Sequence, residues 1–192
     1  MSRRLAQGYS GEHERRERAE TVAVVAIGAN LGDRGATIAE ALRDLARLPL
    51  TTEIVAAEPI ETVAVTVDGP DAGAPAYLNT VALVTTRLAP SVLLGYLHAI
   101  EARHGRERRE RWGDRTLDLD LVAYGDVRST DPSLLLPHPR AAERDFVLAP
   151  WLAVDPDAVL PGVGAVAELL AALRGDDLRG GDLRGGAGGG DA

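Results

Sequence analysis

Two aspartates, Asp118 and Asp120, alternate with Leu117, Leu119 and Leu121 in the stretch RWGDRTLDLDLVAYGD, residues 111–126. In an extended chain alternate side chains share a face and stand roughly 6.6 Å apart, twice the ~3.3 Å rise per residue. Acids are poor strand formers, and two on one face repel. A positive partner between them resolves the repulsion. Carboxylates at that separation can embrace hard divalent cations, which in phosphoryl-transfer sites stand ~3.5–4 Å apart. The leucines then face a core. The wet face of an edge strand shows the same alternation, so the pair alone does not decide.

The residues just upstream sharpen the question. Six arginines lie between Arg103 and Arg115, interspersed with Glu107, Glu110 and Asp114. By itself this is a solvated helix end, with Arg103–Glu107 and Glu107–Arg111 at a spacing worth only ~0.2–0.5 kcal/mol per pair. Beside paired carboxylates the arginines gain a second reading, because a planar guanidinium fork matches phosphate oxygens bidentately. A magnesium-bound triphosphate needs both features.

Composition excludes several other chemistries. All 21 basic residues are arginine, so a phosphate-loop lysine, a protein-kinase lysine and a Schiff-base lysine are all ruled out. There is no cysteine, which removes thiolate zinc sites and cysteine nucleophiles. The net charge of −8 and pI near 5.0 argue against a general nucleic-acid binder. No run approaches the ~20 apolar residues that span a bilayer, and the first twenty residues lack the apolar core of a signal peptide. A cytoplasmic protein that engages neither membrane nor nucleic acid is expected.

The elements that must position these groups follow from periodicity. Residues 1–20 read as a flexible charged extension. The apolar run Val22–Ile27 suits a strand buried on both faces, and Ile38, Ala41, Leu42, Leu45 and Leu48 predict a helix from Arg34 to Leu48. TEIVAAE and YLNTVALVTTR read as strands, VTVDGPDAGAPA between them as a loop. APSVLLGYLHAIEARHG predicts a helix with proline in its first turn and glycine past its end. Two further helices are expected after the Pro-His-Pro bend at residues 137–139. From 174 to 192 the glycine-rich repeats predict a disordered tail, leaving one domain over 21–173. Strand, helix, strand, strand, helix, strand is the order of a ferredoxin-like split βαβ core. The expected class is therefore α+β, with a mainly antiparallel sheet and extra helices completing an α/β/α sandwich.

AIGANLGDR, YLNTVALVTT, IEARHGRERRERWGDRTLDLDLV and LLLPHPRAAERDFVL, in this order, resemble the 6-hydroxymethyl-7,8-dihydropterin pyrophosphokinases of folate biosynthesis over about residues 22–160. The resemblance implies a magnesium-dependent transferase that moves the pyrophosphoryl group of ATP to the hydroxymethyl oxygen of the pterin and releases AMP. It implies that Asp118 and Asp120 hold two Mg²⁺ ions, and that Arg106, Arg108, Arg115, His138 and Arg144 approach the triphosphate. Of these, Arg106 and Arg115, with the two aspartates, are implied to be catalytic. His98, Glu101 and Trp112 would border the nucleotide. Tyr77 and Phe146 would sandwich the pterin, Asn79 would read its polar edge, and Thr62, Trp112 and Asp118 would complete that site. Asp114, Val63 and Pro139 depart from the family pattern. A monomer is expected. An RNA-binding ferredoxin-like module, or an inactive relative serving as an interaction domain, is the alternative, though the chain is aromatic-poor for RNA stacking.

Overall fold

A computed structural model of the chain describes residues 19–66, 69–71, 75–105 and 116–182. Four of the residues named above, Arg106, Arg108, Trp112 and Arg115, lie outside the described residues, as do most of the N-terminal extension and residues 183–192.

The chain opens with strand β1 (Thr21–Ala29) and helix α1 (Arg34–Ala46), followed by β2 (Thr51–Ala56) and β3 (Ile60–Thr62). A small hairpin, β4 (Ala64–Thr66) and β5 (Gly69–Asp71), precedes the long strand β6 (Tyr77–Thr86). Helix α2 (Pro90–Arg103) and strand β7 (Asp118–Tyr124) come next, then a second hairpin, β8 (Ser129–Asp131) and β9 (Leu134–Leu136). A 3₁₀ turn at Ala141–Glu143 leads into α3 (Asp145–Val154), the short pair β10 (Val159–Leu160) and β11 (Gly164–Ala165), and α4 (Val166–Asp182).

The main sheet runs β2-β6-β1-β7, with β3 following β2 along the same edge of β6. All its pairings are antiparallel. With α1 and α2 as crossovers, β1, β2, β6 and β7 reproduce the expected ferredoxin-like order. Valine and isoleucine dominate β1 because it lies inside the sheet and is covered on both sides.

Each face of the sheet has its own core. Ala23, Val25, Ile27, Ala82, Val84, Leu119 and Leu121 pack against Ile38, Ala41 and Leu45 of α1 and Leu93, Leu97 and Ile100 of α2. On the other face Val24, Val81 and Val122 meet Val147, Leu148 and Trp151 of α3 and Val166 and Leu170 of α4. Each fully buried leucine contributes ~1.5–3 kcal/mol relative to exposure. Asp33 caps α1, its carboxylate accepting the Ala36 N–H at 2.9 Å. At the far end of α1, Asp44 holds Arg103 at 3.1 Å and His104 at 3.3 Å, fixing the C-terminus of α2.

Two expectations are corrected. Part of the segment read as a loop, Ala64–Thr66 and Gly69–Asp71, forms the β4–β5 hairpin, consistent with β-branched Val65 and Thr66. The glycine-rich tail does not begin at 174, since α4 runs to Asp182. Once a helix is nucleated each further residue adds a hydrogen bond, and Leu178 and Arg179 are good helix formers between the glycines.

Candidate active site

Strand β7 is the last in the sheet, and its alternation is resolved as the sequence suggests. Leu117, Leu119 and Leu121 are buried, while Asp118 and Asp120 are part-exposed on the opposite face. The pairing with β1 slips by one residue between Val24 and Val25, so Val122 and Ala123 both join the α3/α4 core. The two carboxylates therefore stand where the α3/α4 cover gives way to an open end of the sheet.

The antiparallel register sets what lies beside them. Asp118 is level with Gly28, Gly28 with Asn79, and Asn79 with Ile60, a row crossing four strands on one face. Neighbouring strands lie ~4.8 Å apart, so Gly28 leaves a gap in the row between Asp118 and Asn79. The Asn79 side chain leans into it, because a Cβ built on Gly28 would stand 2.9 Å from the Asn79 Oδ1. Asn79 also donates through Nδ2 to the Thr62 Oγ1 at 2.6 Å, and Thr62 pairs with Tyr77 at the start of β6. Helix α3 packs across β6 and β3. Phe146 in its first turn and Tyr77 are both half-buried.

Arg144 joins the two halves of this surface. Its backbone is extended, and its carbonyl accepts the Val147 and Leu148 N–H groups at 3.0 Å as α3 begins. Its side chain turns back, with Nη1 donating to the Asp120 Oδ2 at 2.7 Å and the guanidinium carbon 5.8 Å from the centre of the Phe146 ring.

His138 sits beside the same carboxylate, Nε2 at 3.9 Å from the Asp120 Oδ2. Its N–H donates to the Val122 carbonyl at 2.8 Å, which fastens the Pro-His-Pro bend to β7. Burial pushes its imidazole below the ordinary histidine value; the Asp120 carboxylate opposes that, and Arg144 and Arg140 reinforce it. The imidazole Nδ1 accepts the Arg140 N–H at 3.2 Å. The proton therefore resides on Nε2 and points toward the space beside Asp120, ready for an anionic oxygen.

Glu101, expected at the border of a nucleotide site, is a 1% exposed side chain on the α1/α2 side. Its Oε1 accepts the Leu119 N–H at 3.0 Å, satisfying a donor on the outer edge of β7 midway between the aspartates. His98 is exposed on α2. Three residues acquire importance only in three dimensions: Gly28, Glu101 in its bracing role, and Arg34, which contacts Glu61 and the Ala76 carbonyl. A glycine inside a β-branched strand is the one prior signal among them.

Among the described residues, no three His, Asp or Glu side chains converge as a closed metal cluster. The site offers two hard oxygen donors beside a guanidinium and an imidazole, an arrangement open to a polyphosphate and its counterions.

A family model described as 7,8-dihydro-6-hydroxymethylpterin-pyrophosphokinase (HPPK) matches residues 24–156. The 2-amino-4-hydroxy-6-hydroxymethyldihydropteridine pyrophosphokinase of Pseudomonas aeruginosa is 43% identical over 150 residues, covering 77% of this chain and 89% of that protein. The protein of the same name from Haemophilus influenzae is 34% identical over 148 residues, covering 77% and 90%. A crystal structure of wild-type Plasmodium falciparum HPPK-DHPS with pterin and p-hydroxybenzoate aligns with a TM-score of 0.60 at 12% identity. It covers 87% of this chain and 45% of its own, so this chain spans about half its length and shares its fold.

Proposed function

The chain belongs to the 7,8-dihydro-6-hydroxymethylpterin-pyrophosphokinase family, and on that premise we propose that it transfers the β,γ-pyrophosphoryl group of ATP to the hydroxymethyl oxygen of 6-hydroxymethyl-7,8-dihydropterin, with magnesium bound at Asp118 and Asp120. The observation that carries this reading is the placement of Asp118 and Asp120 on one face of β7, level with the Gly28–Asn79 row and against Arg144 and His138. Pterin and polyphosphate sites then adjoin on a single sheet surface.

The donor set suits magnesium. Asp118 and Asp120 would hold the ion through hard carboxylate oxygens, which magnesium favours together with water and phosphate oxygens beside nucleotides. Asp120 keeps Oδ1 for a metal while Oδ2 faces Arg144. Magnesium, when bound, supplies neutralisation of the polyphosphate charge.

The remaining work falls to this chain's own groups. Asn79 and the aromatic pair Tyr77 and Phe146 orient the pterin so that its hydroxymethyl oxygen faces the β-phosphorus. That oxygen forms the new P–O bond as the bridge between the α- and β-phosphates breaks, and AMP departs with the bridging oxygen. No strong base is required, since in a loose transition state the hydroxyl proton leaves late. Arg144 and the Nε2–H of His138 donate to non-bridging oxygens as charge builds. Arg106, Arg108 and Arg115 would add to that field, with Trp112, His98 and Glu101 nearer the nucleotide. On this reading the protein acts as a monomer in the cytoplasm, without nucleic acid.

Incubation with ATP, MgCl₂ and 6-hydroxymethyl-7,8-dihydropterin tests the reading. The expected products are AMP and the pterin diphosphate in equal amounts. Release of ADP, or AMP formation that does not depend on the pterin, would overturn it.

A further inference from the structure

The connection between β3 and β6 leaves the sheet after Thr62 and returns before Tyr77. Its two ends meet in register, Thr62 opposite Tyr77 and Glu61 opposite Leu78. Arg34 spans that neck from behind. One guanidinium nitrogen, Nη1, donates to the Ala76 carbonyl at 2.6 Å, and the other, Nη2, lies 2.9 Å from the Glu61 Oε1. Both contacts are far from Arg34 in sequence, and together they tie the first residue of α1 to each end of the connection.

The location is unfavourable on local grounds. Arg34 opens α1, where the helix dipole disfavours a cation, and of the residues at that helix start only the capping Asp33 carboxylate offsets it. The ion pair with Glu61 is half-buried on the arginine side and exposed on the glutamate side, and partly exposed pairs of this kind contribute little to stability. A residue that breaks a local rule without a matching gain in stability points to a role at the site.

Geometry identifies the role. Glu61 and Thr62 are successive strand residues, so their side chains point to opposite faces. Thr62 accepts from Asn79 on the ligand face; Glu61 and Arg34 lie on the face that α1 covers. Arg34 therefore cannot touch a ligand resting on Asn79. We propose that Arg34 is a positioning residue for the pterin: by stapling Glu61 to the Ala76 carbonyl it fixes Thr62 opposite Tyr77 and thereby sets the orientation of the Asn79 amide.

This inference rests on the pyrophosphokinase reading, and steady-state kinetics separate the two. Wild-type protein, Arg34→Ala, Arg34→Lys and Glu61→Gln are assayed for AMP release, first with pterin varied at saturating ATP and Mg²⁺, then with ATP varied. Loss of a charge-assisted hydrogen bond at the neck should raise the pterin KM about tenfold in Arg34→Ala, with the ATP KM and kcat close to wild type. Arg34→Lys, which keeps the charge and one contact, should fall between, and Glu61→Gln should show a smaller rise. If the wild-type protein releases no AMP, the functional reading fails. If it is active and Arg34→Ala keeps a wild-type pterin KM, or raises both KM values together, the positioning role is wrong. Should Arg34→Ala not fold, the same outcomes are read from Arg34→Lys and Glu61→Gln, with thermal unfolding confirming that each remains native.

Discussion

Gly28 and Asn79 are directly opposed on β1 and β6, and the absence of a side chain at Gly28 is what lets the Asn79 amide lie across the sheet toward Asp118. A methyl group at Gly28 would stand 2.9 Å from the Asn79 oxygen, closer than atoms of those types can approach. Gly28→Ala is therefore expected to displace Asn79 and break its 2.6 Å hydrogen bond to Thr62. The pterin KM should rise about tenfold for the loss of one well-placed polar contact, and the melting temperature should fall by a few degrees because the buried Asn79 amide loses its partner. An unchanged pterin KM in a native-like variant would show that Asn79 does not contact the substrate.

Glu101 supports β7 from the opposite side. Its carboxylate accepts the Leu119 N–H at 3.0 Å while 1% exposed. Glu101→Ala leaves a buried backbone donor unpaired, which costs about 1–3 kcal/mol. In a chain of this size that lowers the melting temperature by roughly 2–4 °C per kcal/mol. Thermal unfolding checks the stability loss, and hydrogen exchange at Leu119 checks its origin. Exchange as slow as wild type at that amide would mean another group had replaced the carboxylate.

Strand β7 was legible in the sequence because leucine and aspartate alternate with a period of two, and only one way of burying such a strand keeps the acids wet: Leu117, Leu119 and Leu121 went inward and the acids outward. Helices α1 and α2 were equally legible from their apolar stripes and from the proline opening α2. Long-range relationships were not. Nothing in the local pattern says that Arg144 reaches Asp120, that Glu101 braces Leu119, or that Arg34 spans 42 residues to the Ala76 carbonyl. These contacts depend on which strands become neighbours. The β4–β5 hairpin was hidden for a different reason, since two prolines and two glycines in 64–75 outweighed a short β-branched segment. The family resemblance named Glu101 as a nucleotide neighbour, but only its burial reveals the load it carries on β7.

Asp131 provides a pH-dependent test near the Pro-His-Pro bend. It accepts both the Ser133 N–H at 2.9 Å and the Ser133 hydroxyl at 2.8 Å. Those two bonds hold its carboxyl below the usual aspartate value. Because the folded pKa is depressed, the contribution of this turn to stability is complete above the unfolded value of ~3.9 and is lost as pH falls through the lower folded value. An NMR titration should place the Asp131 midpoint below that of an unstructured aspartate, and Ser133→Ala should move it upward. A midpoint unaffected by Ser133→Ala would show that the turn is open in solution.

The 2.7 Å contact between Arg144 and Asp120 sets up a competition at the proposed metal site. Without ligands the guanidinium neutralises one of the two carboxylates, so a divalent ion must share Asp120 with it or displace it toward phosphate. Arg144→Ala removes that competitor, and two measurements should then move in opposite directions. Binding of Mn²⁺ in the absence of nucleotide, followed by calorimetry or paramagnetic relaxation, should tighten several-fold, since a unit charge a few ångströms away has been removed. Turnover should nevertheless fall by about 10²-fold, because a donor aimed at developing phosphate charge has been lost. Asp120→Ala, by contrast, should weaken metal binding and abolish turnover together. If Arg144→Ala weakened metal binding as Asp120→Ala does, the arginine would be organising the carboxylates for the ion, and the competition inferred from their contact would be wrong.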